Sequence, residues 1–282
     1  MSDQTARDTG ARAGDEVYSF ADHQAQVAYV SGRRAAQWVP FLLPHLRPGM
    51  RLLDCGCGVG SITLDLAELV APGETVGIDL DASQLDLARA AASTRGLANS
   101  RFETGSIYAL PFADASFDVV LAHTVLIHLS DPLRALKEMR RVLAPGGIAA
   151  VSDDDHSAWV VAPADSVMRR LANIASKVIA ANGGNPYYSP NLRRLMLDAG
   201  FARTEGYAVA AEKYGVPDET RRYASIVARQ IQNPDLRQLV QTNGWASSDE
   251  LETMPAEVLA WGERPDAFAA IMYCAALGWV DA

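Results

Sequence analysis

Residues 52–67 read LLDCGCGVGSITLDLA: an apolar run holding an acid at Asp54, glycines at alternate positions (Gly56, Gly58, Gly60), then a stretch of helical character. A strand that runs through glycines into a helix is the turn at which α/β proteins receive nucleotide-like ligands, because glycine lets a ligand approach the backbone closely. Cys55 and Cys57 read as small spacers in this turn, since a one-residue gap suits neither a redox pair nor a zinc knuckle. The odd count of three cysteines carries no disulfide framework, which fits a reducing cytoplasm.

On either side of this turn, short apolar runs alternate with amphipathic ones. RLLDC is followed by SITLDLAELV, TVGIDL by SQLDLARAAASTRG, RFETG by a connector, FDVVLAH by DPLRALKEMRRVL, and GGIAAVS by a longer helical region. Such alternation predicts βαβ units and a parallel sheet covered on both faces, a doubly wound α/β fold. Asp131-Pro132 reads as a cap followed by proline at the first helical position, and Pro145-Gly146-Gly147 as the stop of that helix. Helical stretches follow at about 164–180 and 190–199, then a strand or strand pair in FARTEGYAVAAEKYG, a helical region over 217–262, and a last strand in AFAAIMYCAALGWV.

The chain of 282 residues, 49% hydrophobic, is long enough to bury a full core. We read residues 1–16 as a polar tail without a signal peptide's apolar core, and 17–282 as one domain with a helical cover at 17–45 and a helical insertion at 217–262. A net charge of −9 excludes the basic stripe that phosphate-led nucleic-acid binding needs. The longest apolar run, near the C-terminus, is too short to span a bilayer, so neither nucleic acid nor membrane is expected as a partner.

The ligand follows from two acids. Asp79, at the end of the next strand in VGIDLD, lies where a carboxylate takes both hydroxyls of an adenosine-like ribose. Both NAD and S-adenosylmethionine place a ribose on such an acid. A dinucleotide loop, however, wants GxGxxG and no acid beside the pyrophosphate, whereas this loop reads GxGxG with Ser61 at the third position and Asp54 just upstream. A carboxylate there repels phosphates and favours an ammonium and a sulfonium, so the expected cofactor is S-adenosylmethionine.

At this point the sequence resembles the class I S-adenosylmethionine-dependent methyltransferases, in particular the small-molecule branch that includes ubiquinone and menaquinone C-methyltransferases. The resemblance is carried by LLDCGCGVGSITLDLA, VGIDLDASQLDLARA, FETGSIYALPFADASFDVVLAHTVLIHLSDP and RVLAPGGIAAV, over roughly residues 40–152 and in the family's order. A weaker likeness extends to Tyr18, His23 and Arg33 and to LRRLMLDAGF. It implies a seven-stranded Rossmann-like sheet whose last strand is antiparallel. It also implies that Asp54 and the loop backbone at Gly56, Cys57, Gly58 and Gly60 hold the methionyl amino group, with Asp79 on the ribose and Leu80 and Gln84 beside the adenine. By the same resemblance Gly105, Ser106 and Ile107 grip the adenine edge, although many relatives carry an aspartate where Ser106 sits. His123 then lines the methionine arm and Arg33 meets the cofactor's carboxylate.

Methyl transfer from a sulfonium is an in-line displacement that gains most from positioning and the exclusion of water, and it needs neither a metal nor a covalent nucleophile. A hydroxyl or carbon acid also needs a base, and the candidates are His123 and, in the run SDDDHSAW after the fifth strand, Asp155. His128 reads as a packed residue beneath its loop. The acid run is also open to reading as a magnesium site, but no further ligands can be named, so no metal is assigned. Tyr18, His23, Trp159, Tyr187 and Tyr188 are the candidate acceptor-binding residues, under lids formed by the aromatic N-terminal segment and the 217–262 insertion. The expected protein is a monomeric or homodimeric methyltransferase acting on O, N or C of a small, fairly apolar metabolite of the kind secondary metabolism supplies. The alternative is a protein of the same fold and cofactor that only binds, or that catalyses a cyclisation.

Overall fold

The computed structural model describes residues 27, 29–164 and 167–281. The polar tail and residues 17–26 and 28 of the N-terminal cover, Tyr18 and His23 among them, lie outside the described residues.

Eight strands form one sheet: β1 (Leu52–Cys55), β2 (Thr75–Asp79), β3 (Ser100–Thr104), β4 (Phe117–His123), β5 (Leu143–Asp154), β6 (Val160–Ala162), β7 (Arg203–Tyr214) and β8 (Phe268–Trp279). The path runs β3-β2-β1-β4-β5-β8, with β7 on the far side of β8. The short β6 continues beyond β5 along the same edge of β8. The pairings of β1 to β5 are parallel, and every pairing of β8 is antiparallel. The expected last antiparallel strand is present, and β6 raises the expected seven strands to eight. FARTEGYAVAAEKYG forms the single strand β7, with a register break between Val209 and Glu212.

Nine helices are named here: α1 (Ala35–Trp38), α2 (Ser61–Val70), α3 (Ala82–Arg95), α4 (Pro132–Val142), α5 (Val167–Ala181), α6 (Leu192–Asp198), α7 (Pro217–Ile231), α8 (Pro234–Thr242) and α9 (Ser248–Gly262). Local chemistry sets their ends. Asp81 caps α3 by accepting from the Ser83 amide, and Gly96 ends it in the left-handed region. Asp131 caps α4 by accepting from the Arg134 amide, ahead of Pro132. That helix ends at Val142, earlier than the Pro-Gly-Gly signal suggested. Residues 145–147 instead lie within β5, inside the register break that separates the Leu143–Phe117 pair from Ile148–Val119.

The central strands are buried on both faces, β1 at all four positions. One core packs α4 and α6 against the sheet through Leu136, Met139 and Met196, and the other packs the α1 segment and α2 through Trp38, Leu42 and Leu66. A third core joins α5, α7 and α9 through Ile174, Val178, Tyr223, Val258 and Trp261. It includes Val161 and Ala269, so the 217–262 insertion sits over the end of the sheet where β5 finishes and β8 begins. Among the described residues no helix is long and apolar enough to cross a membrane.

Candidate functional site

The glycine turn is built from backbone hydrogen bonds to β2. The Gly56 and Cys57 amides both donate to the Ile78 carbonyl, at 2.7 and 2.9 Å, and the Gly58 amide donates to Asp79 Oδ2 at 2.8 Å. Gly56 has a φ of +74°, and a Cβ there would come within 2.4 Å of Val125 Cγ2, so the position admits only glycine. The loop, Asp54 and Asp79 are thus brought together as the sequence requires. Cys57 is half-buried, with its sulfur against Gly77, and serves as a spacer.

Asp54 lies under the turn, accepting from Thr63 Oγ1 at 2.6 Å. Burial pushes its acid up to about 7, and the neighbouring Asp79 adds to this. A buried acid so disfavoured as an anion gains most from a cationic neighbour. Asp79 is also raised by burial; its two oxygens accept from the Gly58 and Asp81 amides and retain lone pairs for further donors. Leu80 beside it is 50% exposed, an apolar surface suited to a flat base, and Gln84 lies over Gly58. Gly105 donates to the Asp79 carbonyl, Ile107 is buried, and Ser106 Oγ accepts from the Tyr108 amide at 3.2 Å. An acid that wants a cation, an acid with spare lone pairs, a bare turn and an apolar ledge together fit S-adenosylmethionine.

At the end of β4, Thr124 holds a φ of +57°, uncommon for a residue with a side chain, while its amide donates to the Ser152 carbonyl. Its hydroxyl accepts from Arg33 Nη1 at 3.3 Å. Arg33 is buried, stands over the Trp38 ring at 4.1 Å, and pairs with Glu212 at 3.8 Å. Glu212 sits at the register break of β7 and accepts from the hydroxyls of Tyr273 and Tyr214, at 2.6 and 3.0 Å. Burial, then the Glu212 charge, push the phenol of Tyr273 well above its ordinary range.

Next to Arg33 and Thr124 opens a cavity of about 140 Å³. Its polar lining includes Arg33, Thr124, His128, Asp154 and His156; α5 and α7 contribute mostly apolar side chains, among them Ile174, Val178, Ile226 and Val227, with Tyr223 and Gln230. Trp159 is on the wall. His128, read from sequence as a packed residue, also lines it; burial holds its imidazole down at about 4, so it is neutral.

The structure puts Asp154 on this wall where the sequence reading favoured Asp155. Residues 152 and 154 share a sheet face, and Asp154 pairs with Tyr273 of β8. The chain then turns into a short 3-10 helix at His156–Ala158, where Asp155 Oδ1 is used as the cap, accepting from the Ser157 amide and hydroxyl at 3.0 and 2.8 Å. Asp153 points to the other face and accepts from the Tyr188 hydroxyl at 2.6 Å, so Tyr188 is buried away from the cavity. Tyr187 is 52% exposed and absent from the wall. His123, expected as a base, lies behind the wall, edge-on to Trp38 and stacked on Tyr273. Burial and then the Arg33 charge hold it well below its ordinary value, as a neutral ring, and neither ring nitrogen finds a hydrogen-bond partner among the described residues.

The residues missed by sequence reading are Glu212, Tyr273, Thr124, His156 and Ser176. An acid inside the apolar run of β7 was the visible signal for Glu212. For His156 it was the two-residue spacing from Asp154. Among the described residues no three His, Cys, Asp or Glu side chains gather as a metal set.

Comparison with known proteins places the chain. The family model described as a methyltransferase domain matches residues 46–207. An uncharacterised methyltransferase of Schizosaccharomyces pombe is 33% identical over 191 residues, covering 66% of this chain and 68% of that one. A protein of Aspergillus luteorubrus named as a probable methyltransferase, ltbC, is 30% identical over 261 residues, covering 88% and 91%. The crystal structure of the 4+2 cyclase SpnF superposes with a TM-score of 0.53 at 24% identity, covering 88% of this chain and 81% of that one, a likeness of fold alone.

Proposed function

Because this chain belongs to the class I methyltransferases and uses S-adenosylmethionine as its cofactor, we propose that it methylates an O, N or C atom of a small, largely apolar molecule bound in the cavity beside Arg33 and Thr124. The observation that carries this reading is that cavity: polar where it meets the ends of β4 and β5, mostly apolar where α5 and α7 close it. The bound cofactor supplies an electrophilic methyl group on a sulfonium. Asp54 and the Gly56–Gly60 backbone hold its ammonium end, Asp79 the ribose, Leu80, Gln84 and residues 105–107 the adenine, and Arg33 the methionine arm. The helices of the insertion cover the acceptor and exclude water, which raises the effective concentration of the two reactants.

The single-domain reading of residues 17–282 and a role in secondary metabolism belong to the same proposal. Calorimetric titration with S-adenosylmethionine, S-adenosylhomocysteine and NAD tests it, with Asp79→Ala as the control. Micromolar binding of the first two, lost in the variant, is the expected result; binding of NAD alone sinks the reading. Formation of S-adenosylhomocysteine with an acceptor separates methyl transfer from a non-transferring use of the fold.

A further inference from the structure

The polar end of the cavity is organised around one carboxylate. His156 Nε2 lies 3.0 Å from Asp154 Oδ2, and its Nδ1 lies 2.8 Å from Ser176 Oγ on α5. An ionised carboxylate only accepts, so Nε2 carries the hydrogen and donates. The His156 ring is therefore committed on both sides, and it orients Asp154. Burial pushes the Asp154 acid up, but the hydrogen bond from His156 outweighs it and holds the group below the usual carboxylate range. Oδ1 remains to accept from a ligand in the cavity.

The dimensions and walls narrow what that ligand is. The walled part of the cavity, which opens on one side, holds about 140 Å³, room for one ring of benzene's size, which occupies a cavity of roughly 150 Å³. Mostly apolar residues of α5 and α7 face the cavity, so the body of the ligand is apolar. Arg33 on the same wall as Asp154 disfavours a cationic head. An acceptor-only carboxylate calls for a donor; a neutral amine also donates and keeps a lone pair, but it can shed its proton after the transfer, whereas a hydroxyl needs a held base during it, so the carboxylate points to a hydroxyl.

We infer that the acceptor is a monocyclic phenol, with its ring against α5 and α7 and its hydroxyl on Asp154, which receives the proton while the phenol oxygen is methylated. The oxygen lone pair forms the new C–O bond, the C–S bond breaks with its electron pair staying on sulfur, and the proton passes to Asp154 and then to water. A phenol ionises near pH 10, as tyrosine does, and the oxygen becomes far more acidic as the C–O bond forms, so a carboxylate is a sufficient base late in the step. An aliphatic alcohol holds its proton much more tightly. This inference rests on the methyltransferase reading above.

Two measurements test it, and S-adenosylhomocysteine binding is recorded in parallel so that failure of the cofactor reading is seen separately. In the first, saturation-transfer NMR and thermal shift follow phenol, 4-methylphenol, cyclohexanol, aniline and 2-naphthol, each with the protein alone and with S-adenosylhomocysteine. The phenols are expected to bind and 2-naphthol to bind more weakly. Cofactor binding with no phenol binding at millimolar concentration overturns the inference, as does preference for the two-ring probe. In the second, phenol is incubated with S-adenosylmethionine and its methyl ether is sought by mass spectrometry. Asp154→Asn is expected to lower ether formation about 100-fold or more while leaving S-adenosylhomocysteine binding within a few-fold. As a positioning residue, His156 is expected to tolerate Gln, which keeps a donor to Asp154, and to lose kcat without a matching rise in KM on change to Ala. Methylation of aniline in place of phenol, or full activity of Asp154→Asn in a folded protein, refutes the assignment.

Discussion

Arg33, from the N-terminal cover, and Glu212, from the break in β7, meet at 3.8 Å with side chains only 7% and 1% exposed. Elements far apart in the chain are thereby tied together beside the cavity. Removing one partner of a buried pair leaves the other uncompensated, at a cost of about 3–5 kcal/mol. Glu212→Leu should therefore lower unfolding stability in urea by about that much. Arg33→Met combined with Glu212→Leu should recover part of the loss; strict additivity of the two single changes would show that they are not coupled.

Gly56 and Gly58 both have positive φ, but their surroundings differ. A Cβ at Gly56 meets Val125 Cγ2 at 2.4 Å, on a branched side chain, whereas one at Gly58 meets the far end of Gln84 at 2.9 Å. Gly56→Ala should abolish S-adenosylhomocysteine binding, while Gly58→Ala should weaken it by about tenfold through backbone strain of roughly 1–2 kcal/mol. Calorimetry on both variants checks the order, and equal losses would refute the packing argument.

Asp54 links cofactor binding to pH. Burial holds its acid at about 7 in the protein alone, and a cationic ligand favours the ionised form, so binding below pH 7 must expel a proton. Affinity for S-adenosylhomocysteine should rise with pH by up to about tenfold per unit between 5.5 and 7, then level off. Titrations in buffers of different ionisation enthalpy should record the released proton. A flat profile, or an unchanged slope in Asp54→Asn, would mean that Asp54 is not the partner of the ammonium.

Asp153 acts on stability in the opposite sense to a salt-bridged acid. Burial raises it from 3.8 to about 7 against the hydrogen bond from Tyr188. Between those values the unfolded chain is ionised and the folded one protonated, so stability falls as pH rises from 4 to 7, by about 2–4 kcal/mol from this group. Asp153→Asn should flatten that part of the pH–stability curve, measured by urea denaturation at pH 5 and pH 8. A wild-type curve that rises over this interval, with the same shape in the variant, would contradict the assignment.

What the sequence by itself determined is the part of the molecule made by neighbours in the chain. The sheet-to-helix glycine turn, Asp54 and Asp79 at strand ends and the cap at Asp131 all follow from local spacing, backbone freedom and apolar periodicity, while the antiparallel direction of the last strand was implied by the family resemblance. The acceptor side was decided only by tertiary structure. Asp154 was preferred over Asp155 by the register of β5 against β8, which places Asp154 opposite Tyr273, and by the 3-10 helix that takes Asp155 as its cap. Glu212 acquired its role because a break in β7 brings it to Arg33 and Tyr273, while His123 lost its expected role as a base by being enclosed between Trp38 and Tyr273. Each of these depends on which residues from distant segments close over a group, on the solvent they remove and on the donors they supply, and that information lies in the packing of the chain.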